Sequence, residues 1–77
     1  MGKRSANSID KHVAGKIRAR REHLKVSQES LGDVLGVTYQ QVQKIEAAAN
    51  RISAGNLWKV AQALSKPISY FYEGLPT

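Results

Sequence analysis

The amino-acid sequence predicts an all-α domain of five short helices. Apolar residues recur at i, i+3 and i+4 through most of the chain, and no alternating apolar–polar pattern extends beyond a few residues. Ser, Thr, Gly and Pro stand where helices should begin and end. The 77 residues make one domain, and a chain this short buries only about 60% of its unfolded surface, so its stability margin is thin.

The first helix is expected to begin after Ser8 as N-cap, with Ile9, Val13, Ile17 and Leu24 as its inward stripe. Arg20 and Arg21 lie on or beside that stripe, so at least one guanidinium should be partly buried and need a partner. Glu46, flanking the inward face of the third helix, is the natural carboxylate for it, since Arg pairs bidentately. Periodicity does not choose between the two arginines.

Ser27 is a good N-cap for the second helix, because its hydroxyl can accept from an orphan amide, and Glu29 suits the positive end of the helix dipole. Leu31, Val34 and Leu35 form a stripe, and Gly36 can take the left-handed conformation that ends a helix. Gly32, inside this helix, costs about 1 kcal/mol relative to Ala; a close crossing by the next helix would explain it. Thr38 and Gln41 have capping-box spacing, and Val37 and Val42 stand at staple positions, so the third helix starts at Thr38. Val42 and Ile45 point inward. Gln40, Gln43, Lys44 and Ala47 then fall on the far side, with Tyr39 at its edge.

Asn50, Arg51 and Ile52 connect to the fourth helix, where Ser53 is the cap and Ile52 and Leu57 repeat the staple. Leu57, Val60, Ala61 and Leu64 form its core stripe, with Trp58 at the margin as a packing residue open to a partner. Pro67 forbids continuation, and PISYFYEG reads as a last short helix carrying Ile68, Tyr70, Phe71 and Tyr72. A core this small should leave some of these aromatics exposed. The organisation is therefore a basic arm over 1–8, a domain over 9–74 and a tail over 75–77.

The formal charge of +6 is uneven. Residues 1–25 hold eight basic residues against two acidic ones, while the remainder carries four of each sign. A basic third on a neutral body suits a polyanion partner, although lysines on a helix face more often serve solubility. Cysteine is absent, which removes disulfides and thiolate metal sites and fits a reducing cytoplasm. No apolar run approaches the roughly 20 residues of a membrane span.

The outer face of the third helix presents amide, phenol and ammonium groups. Gln can bond adenine N6 and N7, Lys can reach guanine acceptors or phosphate, and Ala or an aromatic ring can touch a thymine methyl. A Gln-rich face on an arbitrary helix is merely solvated; two capped helices and a basic balance favour DNA readout here. Gln28, Gly32, Gly36, Val42 and Ile45 fall at positions that resemble the helix-turn-helix of the lambda-repressor and Cro-like family, also called the xenobiotic response element (XRE) family. The similarity extends from His12 to Gly74. It departs where Ala47, Ala48 and Ala49 follow Glu46, since members usually carry glycine there, so the third helix is expected to run on to Asn50 as its left-handed stop.

The resemblance implies a five-helix lambda-repressor-like domain and aligns Arg21 as the partner of Glu46 in a structural ion pair. Thr38, Tyr39, Gln40, Gln43 and Lys44 become the expected base-reading set. Gln28, Gln41, Asn50 and Arg51 are the expected phosphate contacts, with Lys3 and Arg4 either an arm along the DNA or a disordered basic tail. Tyr70, Phe71 and Tyr72 are candidate dimer contacts.

An enzyme is disfavoured: His12 and His23 share one helix without carboxylates or cysteines to complete a site, and neither a metal nor a cofactor is expected. The function expected is a sequence-specific, double-stranded-DNA-binding regulator, a cytoplasmic repressor acting as a homodimer on a palindromic operator. Its rival is an interaction module of the antitoxin or anti-repressor type on the same fold.

Overall fold

The computed structural model describes residues 7–75; Lys3, Arg4 and most of the expected arm, and the last two residues of the expected tail, lie outside them. Among the described residues four α-helices are present: α1 (Ser8–His23), α2 (Gln28–Leu35), α3 (Tyr39–Glu46) and α4 (Ala54–Ala63). The expected fifth α-helix is instead a 3₁₀ helix, Ile68–Tyr72. Five residues after Pro67, with no side-chain cap, are too few to repay α-nucleation, and the tighter form is the usual short connector.

Each α-helix begins on a side chain that satisfies an orphan amide. Ser27 accepts from the Ser30 amide at 3.0 Å and Ser53 from that of Asn56 at 3.1 Å. Thr38 and Gln41 form a reciprocal capping box. The cap of α1 is Asn7 rather than Ser8, because Asp10 completes a second capping box from Asn7 and fixes the start one residue earlier.

All four α-helices end in the same double hydrogen bond around a left-handed residue, the Schellman arrangement. The residue is glycine only at Gly36 (φ 74°); it is Lys25, Ala48 and Ser65 (each φ 58°) at the other ends. After α3 the Ala48 amide donates to the Ile45 carbonyl at 3.0 Å and the Ala49 amide to that of Lys44 at 2.8 Å. The helix therefore stops at Glu46 instead of running on, and Ala48, not Asn50, takes the left-handed turn.

The core gathers Val13 and Ile17 of α1, Leu31 and Leu35 of α2, Val42 and Ile45 of α3, Leu57, Val60 and Leu64 from α4 and its cap, and Phe71. Three residues of the expected stripes are exposed. Val34 is 51% accessible, because α2 buries Leu31, Gly32 and Leu35 and Val34 lies about 110° from the centre of that face at 100° per residue. Ile9 and Leu24 sit in the first turn and at the cap of α1, beyond the reach of the core. Gly32 is buried, and a Cβ there would stand 2.7 Å from the Val37 carbonyl oxygen. The close neighbour is thus the backbone of the turn between α2 and α3.

The C-terminal turn is held to α1 by His12, whose Nε2 donates to the Glu73 carbonyl at 2.6 Å. Tyr70 packs edge-on against Phe71 at 5.1 Å between centroids. Lys16 and Lys66 stand 4.7 and 4.8 Å from the centroid of the Tyr70 ring.

Candidate nucleic-acid interface

Val42 and Ile45 fix the inner face of α3 in the core, and Glu46 is buried beside them. Because the helix advances about 100° per residue, that anchoring leaves Tyr39, Gln40, Gln43, Lys44 and Ala47 on the outside, and all five are exposed. No carboxylate stands among them. Glu29 and Asp33 lie instead on α2, lining an open groove with Ser27, Ser30, Thr38 and Tyr39.

The buried end of α3 is held by one carboxylate. Arg21 of α1 donates to Glu46 through Nε at 2.6 Å to Oε2 and through Nη2 at 3.0 Å to Oε1, and its Nη1 donates to the Val26 carbonyl at 2.9 Å. Gln28, first residue of α2, adds a third bond from Nε2 to Glu46 Oε1 at 3.1 Å. The side chains of Arg21 and Glu46 are 11% and 3% accessible. The hydrogen bond to Glu46 pushes the Arg21 guanidinium above its ordinary pKa, against the opposing effect of burial. Among the described residues no buried side-chain nitrogen or oxygen lacks a partner, so the ion pair is fully satisfied, the condition under which burying it is tolerated.

Arg20 is also partly buried, its Nε donating to the Leu64 carbonyl at 2.9 Å. That oxygen belongs to the C-cap of α4, where a cation satisfies an orphan carbonyl at the negative end of the helix dipole. Arg18 pairs with Glu22 at 3.2 Å. Three arginines of the basic N-terminal third are therefore engaged within the protein, whereas Lys11 and Lys25 are exposed.

The expected phosphate contacts are placed differently from one another. The hydrogen bond from Gln28 to Glu46 turns its amide inward and uses one N–H, leaving the other and the free backbone amides of the first turn of α2. Thr38 and Gln41 are occupied reciprocally: the Thr38 hydroxyl accepts from the Gln41 amide at 3.2 Å, and Gln41 Oε1 accepts from the Thr38 amide at 3.0 Å. The Thr38 hydroxyl proton and the Gln41 NH₂ stay available. Asn50 is exposed, and its amide lies 3.3 Å from the Lys44 carbonyl.

Arg51, in the loop after α3, donates from Nε to Asp10 Oδ2 at 3.0 Å. Asp10 is the residue that sequence reasoning missed. Its capping-box spacing from Asn7 was visible, but its partner lies 41 positions away. The pair stands at the rim of a pocket of about 240 Å³ whose apolar lining includes Ile9, Val13, Leu57 and Tyr72.

Of the candidate dimer contacts, Phe71 is 0% accessible. Its ring belongs to the chain's own core and offers nothing to a second copy. Tyr70 is half-buried and Tyr72 is exposed. Trp58, at 56% accessible, and Ile68 also face outward. Among the described residues no cluster of three or more His, Cys, Asp or Glu could hold a metal ion, and no helix is long and apolar enough to cross a membrane.

Comparison with known proteins places this arrangement. The helix-turn-helix family model matches residues 17–71. An HTH-type transcriptional regulator of Sinorhizobium medicae is 47% identical over 74 residues, covering 96% of this chain and 53% of its own. The chain thus spans about half the length of that curated relative. Among solved structures, the P22 c2 repressor, crystallised in complex with a synthetic operator, superposes with a TM-score of 0.72 at 30% identity over 82% of this chain and 96% of its own. The restriction-modification controller protein C.AhdI of Aeromonas hydrophila shares the fold, with a TM-score of 0.78 at 23% identity over 86% of this chain and 100% of its own.

Proposed function

Because the chain belongs to the helix-turn-helix family of DNA-binding transcriptional regulators, we propose that it reads a specific double-stranded DNA sequence and acts as a repressor in the cytoplasm. The observation that carries this reading is the acid-free outer face of α3, where Tyr39, Gln40, Gln43 and Lys44 are exposed while Val42, Ile45 and Glu46 clamp the helix from beneath. Rigid placement matters because base-edge hydrogen bonds discriminate only when their donors are held in register. The Thr38 hydroxyl joins this set at the helix start.

The remaining N–H groups of Gln28 and Gln41, together with Asn50 and Arg51, contact phosphates and fix the register of α3 in the major groove. Two copies, meeting through Tyr72 and the exposed edge of Tyr70, bind a palindromic operator. Their recognition helices then enter successive major grooves about 34 Å apart.

Selection of bound duplexes from a random pool tests the proposal. A two-fold symmetric consensus is the expected outcome. Gln40→Ala should relax preference at one position of each half-site by about 1–3 kcal/mol of discrimination. Arg51→Ala should weaken all sequences alike and reduce the salt slope by about 1. Binding that follows charge but enriches no sequence at any salt concentration would refute base readout. It would favour the antitoxin or anti-repressor type of interaction module.

A further inference from the structure

The contact between the start of α1 and the loop after α3 lies outside the buried core cluster and joins Asp10 to Arg51, one of the proposed phosphate contacts. Arg51 uses only Nε toward Asp10, at 3.0 Å, which leaves the four N–H groups of its two Nη atoms for another acceptor. The two side chains are unequally sunk: that of Asp10 is 25% accessible and that of Arg51 57%. The carboxylate is itself anchored, because Oδ2 also accepts from the Asn7 amide at 3.2 Å in the capping box.

From this geometry we propose that Asp10 is a positioning residue for DNA binding, holding the Arg51 guanidinium by Nε so that its Nη groups are presented to a backbone phosphate. The inference rests on the reading of Arg51 as a phosphate contact. A free arginine must surrender its rotamer freedom on binding; one tethered at Nε has already done so. Fixing a long side chain beforehand is worth about two- to tenfold in affinity. The sign is what separates this from ordinary electrostatics. Removing an acid from a DNA-binding surface should strengthen binding, whereas removing Asp10 should weaken it.

The test measures DNA affinity at fixed salt, on one duplex, for wild type, Asp10→Ala, Arg51→Ala and the double variant, each at a temperature where thermal unfolding shows it folded. Asp10→Ala should bind about two- to tenfold more weakly than wild type, and the same change should have no weakening effect once Arg51 is absent. Asp10→Asn keeps an oxygen for both Asn7 and Arg51 and should bind more tightly than Asp10→Ala. In wild-type protein, where folding is not at issue, the Arg51 Nε–H resonance should stay hydrogen-bonded when DNA is added.

Tighter binding by Asp10→Ala would overturn the proposal, since Asp10 would then be a competing acceptor. An equal change with and without Arg51 would overturn it too, as would release of the Nε–H on DNA. If Arg51→Ala left affinity unchanged, the phosphate reading of Arg51 would be the part that failed. A weakened Arg51→Ala without coupling to Asp10 would leave that reading standing and remove the positioning role alone.

Discussion

Replacing Gly32 by alanine should destabilise the domain even though alanine is the better helix former. An added Cβ would lie 2.7 Å from the Val37 carbonyl oxygen, so the turn must retreat by about 0.7 Å to reach the 3.4 Å of ordinary contact. The obstacle is backbone, and it is tied down by the Val37 amide donating back to the Gly32 carbonyl at 2.9 Å. The propensity gain is about 1 kcal/mol. Overpacking costs about 1–3 kcal/mol, and stretching the hydrogen bond can forfeit about 1 kcal/mol more. A net loss of about 1–3 kcal/mol follows, which at about 4–8 °C per kcal/mol lowers the melting temperature by roughly 4–24 °C. Gly15 is the internal control. It lies inside α1 with nothing within 4 Å of an added Cβ, so Gly15→Ala should stabilise by up to about 1 kcal/mol. Thermal and urea unfolding followed by circular dichroism would measure both. A Gly32→Ala protein at least as stable as wild type would refute the reasoning, because the turn would then have given way freely. In the folded fraction, DNA affinity should also fall, since the shift displaces the start of α3.

Glu46→Ala leaves Arg21 buried without its carboxylate and should cost about 3–5 kcal/mol, enough to unfold much of a domain this small at 25 °C. Chemical denaturation would register it, and the paired exchange Arg21→Met with Glu46→Leu should recover most of the loss. Ala48→Gly relieves a left-handed alanine worth about 1–2 kcal/mol against about 0.4–1 kcal/mol of added unfolded-state entropy. It should therefore raise the melting temperature, while Ala47→Gly, at φ −87°, should lower it.

Local rules made the two central helices legible. Ser27, Gly36, Thr38 and Gln41 act through bonds to backbone groups three or four residues away, so spacing alone is informative. The buried faces of α3 and α4 followed from periodicity in the same way. The start of α1 was misplaced because Asn7 and Ser8 are both good caps, and only the reach of Asp10 back to Asn7 decides between them. The left-handed ends at Lys25, Ala48 and Ser65 carry no compositional mark. There the paired carbonyl bonds, and the packing of the next segment, override the preference for glycine. Val34 was misassigned because the face of α2 is set by Gly32 meeting the turn, a tertiary fact. Arg51 could be singled out as a candidate phosphate contact, but not its tie to Asp10, since nothing local links them. The outward residues of α3 were readable as a face, whereas how Gln28 is spent depends on where Glu46 arrives in three dimensions.

The single carboxylate of Glu46 accepts hydrogen bonds from α1 and from the first residue of α2 while sitting on α3. The pair of helices proposed to face DNA is consequently not a transplantable cassette. Cut away from α1, it would lose the guanidinium that sets its pitch, and grafting its outer residues onto another scaffold would transfer the chemistry without the angle. Any change that loosens the first helix should therefore be felt in sequence discrimination before the protein visibly melts.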